Sequence, residues 1–375
     1  MNQALKVVSL YDGISCGRVA LERAGYAVSH FAAFEIDKYP RSISRYQYPD
    51  ITHHGDVLTA DFNQFKGYDL VMGGSPCTFW SIAKTGREVD KAGMGWKLFM
   101  CFVDAVRQVQ PRYFLYENVA SMPKSIRAYI SEELGCEPIF INSALVSAQQ
   151  RKRLYWTNIP NITSPVDRGI LLRDILEAEQ ITLKDKSQTL CAQFYKENVK
   201  SLVTRNKHGL IVAEEIGAAL RTRGMGGERG KRLEVRGDGK LNALTTVQTD
   251  SVVCSPVRVG TIGAGGQGNR IYSVHGKTVA LMAHGGGRGM KTGLYKIDLP
   301  DGDYAIRKLT PIEAERCQTL PDNYTAQGVD DSGREVKISN TQRYRAIGNG
   351  WTVDVIVHIL KHMEVAEDAL CACAA

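Results

Sequence analysis

The chain lacks the features that mark disulfide-rich, zinc-binding and membrane proteins. Its nine cysteines are scattered over 375 residues, and none forms a CxxC pair or a cysteine–histidine cluster with zinc-ligand spacing. A disulfide framework is not expected in a chain of this length, which favours a reducing compartment. No apolar run reaches the length of a membrane span, and the N-terminal residues do not read as a signal peptide. We therefore expect a soluble, cytoplasmic protein without a bound metal.

What the chain does contain is an uneven charge distribution. The hydrophobic content of 43% and charged content of 23% are ordinary for a globular protein with one large domain and a smaller one. The net charge is +7, but residues 186–300 alone carry 18 basic and 8 acidic side chains, so the rest of the chain is slightly acidic. A basic segment of this kind fits a polyanionic partner, although many basic proteins have none.

Apolar runs alternate with helical patterns in the first 160 residues. The predicted strands are 6–10, 31–34, 68–72, 113–116 and 154–156, and the predicted helices are 17–24 and 98–109. This alternation predicts an α/β fold with a doubly wound, mostly parallel sheet. Ligands of such sheets bind beyond the carboxyl ends of the strands.

The pattern changes after about residue 165. Residues 186–300 are rich in glycine and basic residues and show little helical periodicity, which predicts a smaller, β-rich domain. Helical patterns return at 310–318 and at 352–364. We expect residues 1–180 and 340–375 to form the larger domain and residues 181–339 to form the smaller one.

Cys77 is the first candidate for chemistry. A predicted strand ends in Gly73 and Gly74, and Pro76 constrains the backbone directly before the cysteine. Such a turn would present the thiol at the mouth of the sheet. By itself, however, a free cysteine is more often a small buried apolar residue.

Further candidates follow the next strands. Glu117 and Asn118 come after the strand 113–116, where a carboxylate is poorly solvated and suited to proton sharing, or simply caps the following helix. Arg151 and Arg153 occupy alternate positions before a strand-like run, so both could project to one side and grip a phosphate or a carboxylate. A solvated basic surface is the simpler interpretation of the arginines.

Taken together, these segments resemble the cytosine-C5 DNA methyltransferases from about residue 6 to about residue 360. The motifs that carry the resemblance are, in order, SLYDGISCG, Glu35-Ile-Asp37, Gly55-Asp-Val57, GGSPC, ENV, QQRKR, RKLTPIEAERCQTLPDNY and AIGNGWTV. The first and last motifs look more like those of the animal de novo enzymes. The segment Arg270–Ser273 looks like the recognition domains of bacterial and phage members.

The resemblance implies an S-adenosylmethionine-dependent enzyme that methylates carbon 5 of a cytosine flipped out of double-stranded DNA. It implies a Rossmann-like cofactor-binding domain and a target-recognition domain at 181–339. The Cys77 thiolate would add to carbon 6, and Glu117 would hydrogen-bond the base, with Arg151 and Arg153 positioning them. Four further residues would contact the substrate or orient its loop, namely Ser75, Pro76, Ser81 and Asn118. A cognate restriction enzyme is a candidate partner in a bacterial or phage-encoded system.

Cofactor binding is expected from both ends of the chain. Gly13 would allow close backbone approach, Glu35 would accept from ribose hydroxyls, Ile36 would pack on adenine and Asp56 would receive its amine. The other cofactor-binding residues implied by the resemblance are Tyr11, Ile14, Ser15, Val57, Leu98, Asn349, Gly350 and Trp351. The sequence departs from the family pattern in two places: Ser15 and Cys16 replace glycines, and Gly350 stands where serine is common.

Other functions compete with this one. An RNA cytosine-C5 methyltransferase would use the same chemistry, but Ser75 before Pro76 and the long basic segment favour DNA. A catalytically silent DNA-binding relative would have no chemical need for Cys77, Glu117 and both arginines. A plain nucleotide-binding α/β protein is the third alternative, and it would account for Gly13 but not for the other candidate residues.

Overall fold

The computed structural model describes residues 4–82, 84–177 and 309–363. Between 178 and 308 it describes the segments 217–223, 230–235, 252–253, 258–261, 270–274, 294–298 and 304–307 together with Thr278. Seven strands form the main sheet in the order β3-β2-β1-β4-β5-β7-β6. These strands are β1 (Leu5–Leu10), β2 (Val28–Phe34), β3 (Thr52–His53), β4 (Leu70–Gly73), β5 (Tyr113–Val119), β6 (Ile139–Asn142) and β7 (Lys152–Thr157).

Strands β1 to β5 are parallel, whereas β7 runs antiparallel to both β5 and β6. Helices cover both faces of this sheet because side chains alternate between the faces along each strand. In β1, Val7 packs in one buried cluster and Val8 in the other. The α-helices among the described residues are α1 (Cys16–Arg23), α2 (Lys38–Gln47), α3 (Met94–Val109), α4 (Lys124–Leu134), α5 (Pro311–Cys317), α6 (Asn340–Asn349) and α7 (Val353–Leu360). The predicted doubly wound, mostly parallel fold is confirmed.

Several boundaries differ from the sequence prediction. Strand β5 continues through Val119 because β7 pairs with it from Leu115 to Val119, so Glu117 and Asn118 lie inside the strand instead of after it. Helix α7 ends at Leu360, four residues before the predicted end. Helix α6 was not predicted, since its sequence NTQRYRAIGN has no continuous apolar stripe.

The segment 309–339 packs against the main sheet. Leu320, Tyr324 and Ile338 are buried in the same cluster as Val7 of β1, and the Tyr324 hydroxyl donates to the carbonyl of Ile14 at 2.8 Å. A short hairpin of β15 (Gln327–Val329) and β16 (Glu335–Lys337) lies against α2. We therefore propose that the second domain ends near residue 309 and not at residue 339 as the sequence suggested.

The described residues between 217 and 307 form two smaller sheets. Strands β8 (Gly217–Arg223), β9 (Gly230–Val235) and β10 (Val252–Val253) form one, and β11 (Arg258–Thr261), β12 (Arg270–Ser273), β13 (Leu294–Asp298) and β14 (Tyr304–Arg307) form the other. Tyr272 and Val274 pack with Leu172 and Leu309, which joins the second sheet to the main domain. The described residues of this part of the chain lie mostly in strands, as the sequence predicted.

None of the helices formed by the described residues combines the length and the apolar character needed to cross a bilayer.

A buried ion pair holds together the C-terminal segment, residues 309–363. Glu315 of α5 is fully buried, and its Oε1 atom accepts from Arg343 Nη2 at 2.9 Å and from the Thr325 amide at 2.8 Å. Arg343 Nε donates to the Thr325 hydroxyl at 3.0 Å. Removing one member of such a pair leaves the other charge buried without its counter-ion.

We expect Arg343→Met to lower the free energy of unfolding by about 3 kcal/mol or more, because Glu315 loses its counter-ion in a site that water does not reach. Arg41→Met is the matched control. Arg41 pairs with Asp331, which is 64% exposed and also pairs with Arg45, so its loss should cost about 1 kcal/mol or less. Urea unfolding of the two variants measures the difference, and equal losses would contradict the argument.

Candidate active site

A cavity of about 650 Å³ opens at the carboxyl ends of β1, β2, β4 and β5. Most of the predicted site residues line it: Tyr11, Gly13, Glu35, Ile36, Asp56, Val57, Ser75, Pro76, Cys77, Leu98, Glu117, Arg151, Arg153, Asn349, Gly350 and Trp351. The sequence reasoning missed other lining residues, among them Asp12, Cys16, Gly74 and Arg345. Asp12, Cys16 and Gly74 lie inside the quoted motifs, so proximity along the chain was the available signal.

The loop after β4 presents Cys77 to this cavity. Strand β4 must end in glycine, because a Cβ atom at Gly73 would lie 2.7 Å from the Leu10 carbonyl oxygen. Pro76 then leads into a short 3-10 turn, Cys77–Phe79. The amides of Trp80 and Ser81 donate to the Cys77 carbonyl, which closes the turn and leaves the thiol half-buried. Ser81 itself does not line the cavity, because the turn directs the chain away from it.

Asn118 holds this loop from below and does not line the cavity either. Its Nδ2 atom donates to the Ser75 carbonyl and to the Tyr116 hydroxyl, both at 3.2 Å, and the hydroxyls of Ser75 and Tyr116 lie 2.6 Å apart. Burial raises the pKa of the Tyr116 phenol well above its ordinary value. The neutral phenol of Tyr116, the amide of Asn118 and the hydroxyl of Ser75 thus form a buried hydrogen-bond network that joins β5 to the loop carrying Cys77.

Glu117 points into the cavity and is bound at both carboxylate oxygens. The residue is 8% exposed. Its Oε1 atom lies 2.7 Å from Arg153 Nε, and its Oε2 atom accepts from the indole N–H of Trp351 at 3.1 Å. The sequence reasoning predicted the arginine contact and missed the tryptophan contact, since Trp351 was assigned to the cofactor.

The two arginines occupy different surroundings. Arg151 precedes β7, and its guanidinium donates to the carbonyls of Gly348 and Gly350 at 3.3 and 3.2 Å. Burial, reinforced by the neighbouring Arg153 charge, lowers the pKa of Arg151 to about 10, so the group stays cationic at neutral pH. Arg151 thereby ties the chain segment after α6 to the site, whereas Arg153 contacts Glu117 directly.

The loop after β1 forms the opposite part of the wall. Gly13 adopts φ +61° and its amide donates to Glu35 Oε2 at 3.0 Å, while the Asp37 amide donates to Glu35 Oε1 at 2.7 Å. Burial raises the pKa of the Glu35 carboxyl, and these two amide bonds oppose the rise. Burial also raises the pKa of Asp12 to about 6, against the hydrogen bonds from Ser15 and Ser9.

Ile14 and Ser15 were predicted to bind the cofactor, but neither lines the cavity. Both are fully buried, because Ser15 has φ +58° and the turn directs the two side chains inward. The Ser15 hydroxyl contacts Asp12 Oδ2 and the Ser44 hydroxyl. These residues support the loop from beneath.

An apolar side chain and an acidic one flank Glu35 in the wall. Ile36 is 70% exposed although it lines the cavity, which makes it an apolar surface with no protein side chain covering most of it. Asp56 accepts from the Leu58 amide through Oδ1. The Tyr11 hydroxyl donates to the Leu98 carbonyl at 2.6 Å and so joins the β1 loop to α3.

The two departures from the family pattern lie against each other. A Cβ atom at Gly350 would lie 3.1 Å from the Cys16 sulfur. Cys16 is 3% exposed, and burial raises the pKa of its thiol to about 12. The larger side chain at position 16 therefore fills the space that a side chain at position 350 would need.

The cavity has two regions. The first contains the half-buried thiol of Cys77 and the carboxylate of Glu117, which is held by a cation and an indole. The second contains the exposed apolar side chain of Ile36 and the two further acids Glu35 and Asp56. The first region suits nucleophilic attack on a polar ring. The second suits a flat heterocycle with hydroxyl and amine donors. No group of three or more metal-ligating side chains occurs in the described residues.

The chain is similar to known proteins over most of its length. Residues 5–365 match a family model described as C-5 cytosine-specific DNA methylase. Similar proteins include the type II methyltransferase M.HhaI of Haemophilus parahaemolyticus, 25% identical over 95% of this chain and 93% of that protein. The orphan methyltransferase M.SPRI of Bacillus phage SPR is 24% identical over 96% and 97%.

Solved structures share the fold. The Entamoeba histolytica methyltransferase EhMeth superposes with a TM-score of 0.61 at 12% identity, covering 96% of this chain and 98% of that one. A mutant of Spodoptera frugiperda DNMT2 gives a TM-score of 0.56 at 16% identity, covering 96% and 99%.

The contact between positions 16 and 350 generates a prediction. Gly350→Ser should lower the free energy of unfolding by about 1–3 kcal/mol, because its side chain overpacks against the Cys16 sulfur. The double variant Cys16→Ala/Gly350→Ser, which removes that sulfur, should recover most of the loss relative to Cys16→Ala alone. Urea unfolding of the four proteins measures the coupling. Additive effects would show that the two positions do not compete for space.

Proposed function

Because the chain belongs to the C-5 cytosine-specific DNA methylase family, we propose that it transfers the methyl group of S-adenosylmethionine to carbon 5 of a cytosine flipped out of duplex DNA. One observation carries the proposal. Cys77, in the loop after β4, and Glu117, in the neighbouring strand β5, line the same cavity, and Arg153 contacts the carboxylate of Glu117. The reaction needs a nucleophile for carbon 6 of cytosine and a hydrogen-bonding group for the opposite side of the ring, and a thiol and a carboxyl group on one cavity provide these two groups.

The second region of the cavity fits S-adenosylmethionine. Ile36 offers an apolar face for the adenine ring, and Glu35 and Asp56 offer carboxylate oxygens for the ribose hydroxyls and the adenine amine. Gly13 leaves room for the close approach of the ligand to the backbone. When bound, this cofactor supplies an electrophilic methyl group on its sulfonium sulfur.

We assign the covalent step to Cys77. Its thiolate would form a bond to carbon 6 of cytosine, and the displaced electron pair would make carbon 5 nucleophilic enough to accept a methyl group. A base would then take the proton from carbon 5, and the electron pair of that bond would re-form the double bond between carbons 5 and 6. The carbon–sulfur bond breaks at the same time, and its electron pair leaves with sulfur as the Cys77 thiolate. Pro76 and the turn Cys77–Phe79 hold the sulfur at the cavity wall, and Asn118 holds that loop.

Glu117 would bind the ring while the adduct forms. Its carboxyl group can hydrogen-bond the ring nitrogen N3 and the exocyclic amine of a cytosine. Arg153 holds one carboxylate oxygen, and Arg151 braces the segment 348–350 that closes the same side of the cavity. The binding energy of these contacts offsets part of the cost of unstacking the base.

Duplex DNA is the substrate we favour. A target carbon inside a stacked helix is out of reach, so the base has to be extruded, and affinity has to come from elsewhere on the protein. Residues 186–300 carry 18 basic against 8 acidic side chains. The backbone of Thr278 in this segment pairs with Ala148 and Gln150, directly before Arg151, which links the basic segment to the candidate site.

We expect duplex DNA containing 5-fluorocytosine to form a denaturation-resistant adduct with the protein when S-adenosylmethionine is present, because fluorine cannot leave carbon 5 as a proton does. Cys77→Ser should abolish the adduct and lower methyl transfer on the order of 10³-fold or more. Cys101→Ser is the matched control, since Cys101 is also half-buried and free but does not line the cavity. Gel electrophoresis and transfer of labelled methyl groups give the two readouts.

The same assay separates the alternatives. Labelled methyl groups appearing in RNA and not in duplex DNA of matched sequence would identify an RNA cytosine methyltransferase. DNA binding without adduct or methyl transfer would identify a catalytically silent relative, and either result would overturn the proposal.

A further inference from the structure

We propose that Trp351 is a positioning residue that sets the orientation of the Glu117 carboxyl group. This inference rests on the proposed function, and it gives Trp351 a role in the base-binding half of the cavity that its assignment to the cofactor did not include. The role would act through Glu117 and not through contact with the reacting atoms.

The carboxyl group is held by two different donors on its two oxygens. Arg153 Nε lies 2.7 Å from Oε1, and the Trp351 indole N–H donates to Oε2 at 3.1 Å. The last torsion of a glutamate side chain has a broad energy profile, so a carboxyl group held at one oxygen alone can still turn. A second donor at the other oxygen restricts that rotation and fixes the plane that meets the base.

The packing around this hydrogen bond requires glycine at position 74. A Cβ atom there would lie 3.0 Å from Glu117 Oε2, 3.3 Å from Trp351 Nε1 and 2.9 Å from the Glu117 carbonyl oxygen. A side chain at position 74 would therefore crowd both partners of the hydrogen bond. On its other side the indole approaches Gly17, where a Cβ atom would lie 3.5 Å from Trp351 Cζ3.

The backbone next to Trp351 is anchored to the site. The Gly350 carbonyl accepts from Arg151 Nη2 and from Gln318 Nε2, both at 3.2 Å. The segment that delivers the indole is thus fixed by the buried guanidinium of Arg151. Arg151 and Trp351 together connect the C-terminal segment to Glu117, which is 234 residues away from Trp351 in sequence.

This geometry predicts which kinetic step Trp351 affects. Glu117 would meet the base only after the base has left the duplex, whereas DNA affinity would come from phosphate contacts elsewhere. Loss of the indole N–H should therefore slow adduct formation and methyl transfer while the KM for DNA stays unchanged. A tryptophan that served only the cofactor would instead change the KM for S-adenosylmethionine.

The test compares two tryptophan-to-phenylalanine variants of the full-length protein. Trp351→Phe keeps an aromatic ring and deletes the N–H donor. Trp156→Phe, the matched control, deletes the indole N–H that donates to the Ser131 hydroxyl at 3.0 Å on the same sheet, outside the cavity lining. Single-turnover methyl transfer, the rate of 5-fluorocytosine adduct formation and the KM of both substrates are measured for each.

We expect Trp351→Phe to lower the single-turnover rate by about 10- to 100-fold, the range for a lost hydrogen bond to a charged group. Both KM values should stay within about twofold of those of Trp156→Phe, a difference that is small on the free-energy scale. In a Glu117→Ala background, where the acceptor of the indole N–H is gone, Trp351→Phe should slow the reaction by less than about twofold more.

Equal rates for the two tryptophan variants would overturn the proposal, and so would a change confined to the KM for S-adenosylmethionine. A full additional loss in the Glu117→Ala background would show that Trp351 does not act through Glu117. If the wild-type protein neither methylates duplex DNA nor forms the adduct, the proposed function itself is wrong. This outcome is distinct from a failure of the Trp351 proposal, in which the wild-type protein is active.

Discussion

The parallel register between β4 and β5 is the constraint on which the rest of the site depends. Gly73 is paired with Tyr116, so the loop that begins at Gly74 starts beside Glu117. Because both strands end at the same edge of the sheet, the thiol of Cys77 and the carboxylate of Glu117 face one cavity. The absence of a side chain at Gly73 lets the loop pass close to β1, and its absence at Gly74 leaves space for the groups that hold Glu117.

A second requirement concerns the charged side chains at the carboxyl edge of the main sheet, which need close partners because water is largely excluded there. Arg151, Arg153 and Glu117 are all mostly buried, and such charges are tolerable only when each has close partners. The carbonyls of Gly348 and Gly350 provide partners for Arg151. The C-terminal segment therefore does more than cover the sheet, since it supplies the acceptors that let a cation stay buried beside the candidate nucleophile.

The elements that could be predicted from the sequence are those whose own residues carry the signal. Strands β1, β4 and β5 are short apolar runs, and α3 has a clear apolar face, so local periodicity was sufficient. Helix α6 escaped prediction because Arg343 is buried through its pairing with Glu315, a partner 28 residues earlier, and not through an apolar stripe. The extension of β5 to Val119 likewise depends on pairing with β7.

By itself the sequence determined the fold class, the family and the chemical groups available at the strand ends, because these are carried by short motifs and by local periodicity. Only the tertiary structure decided how the groups are held: that Asn118 braces the Cys77 loop, that Ser15 supports its loop from beneath, and that Trp351 donates to Glu117. The physical reason is that these residues bond to partners far along the chain, Ser15 to Ser44, Asn118 to Ser75 and Trp351 to Glu117, so the contacts depend on the packing of the whole sheet. No local spacing in the chain records them.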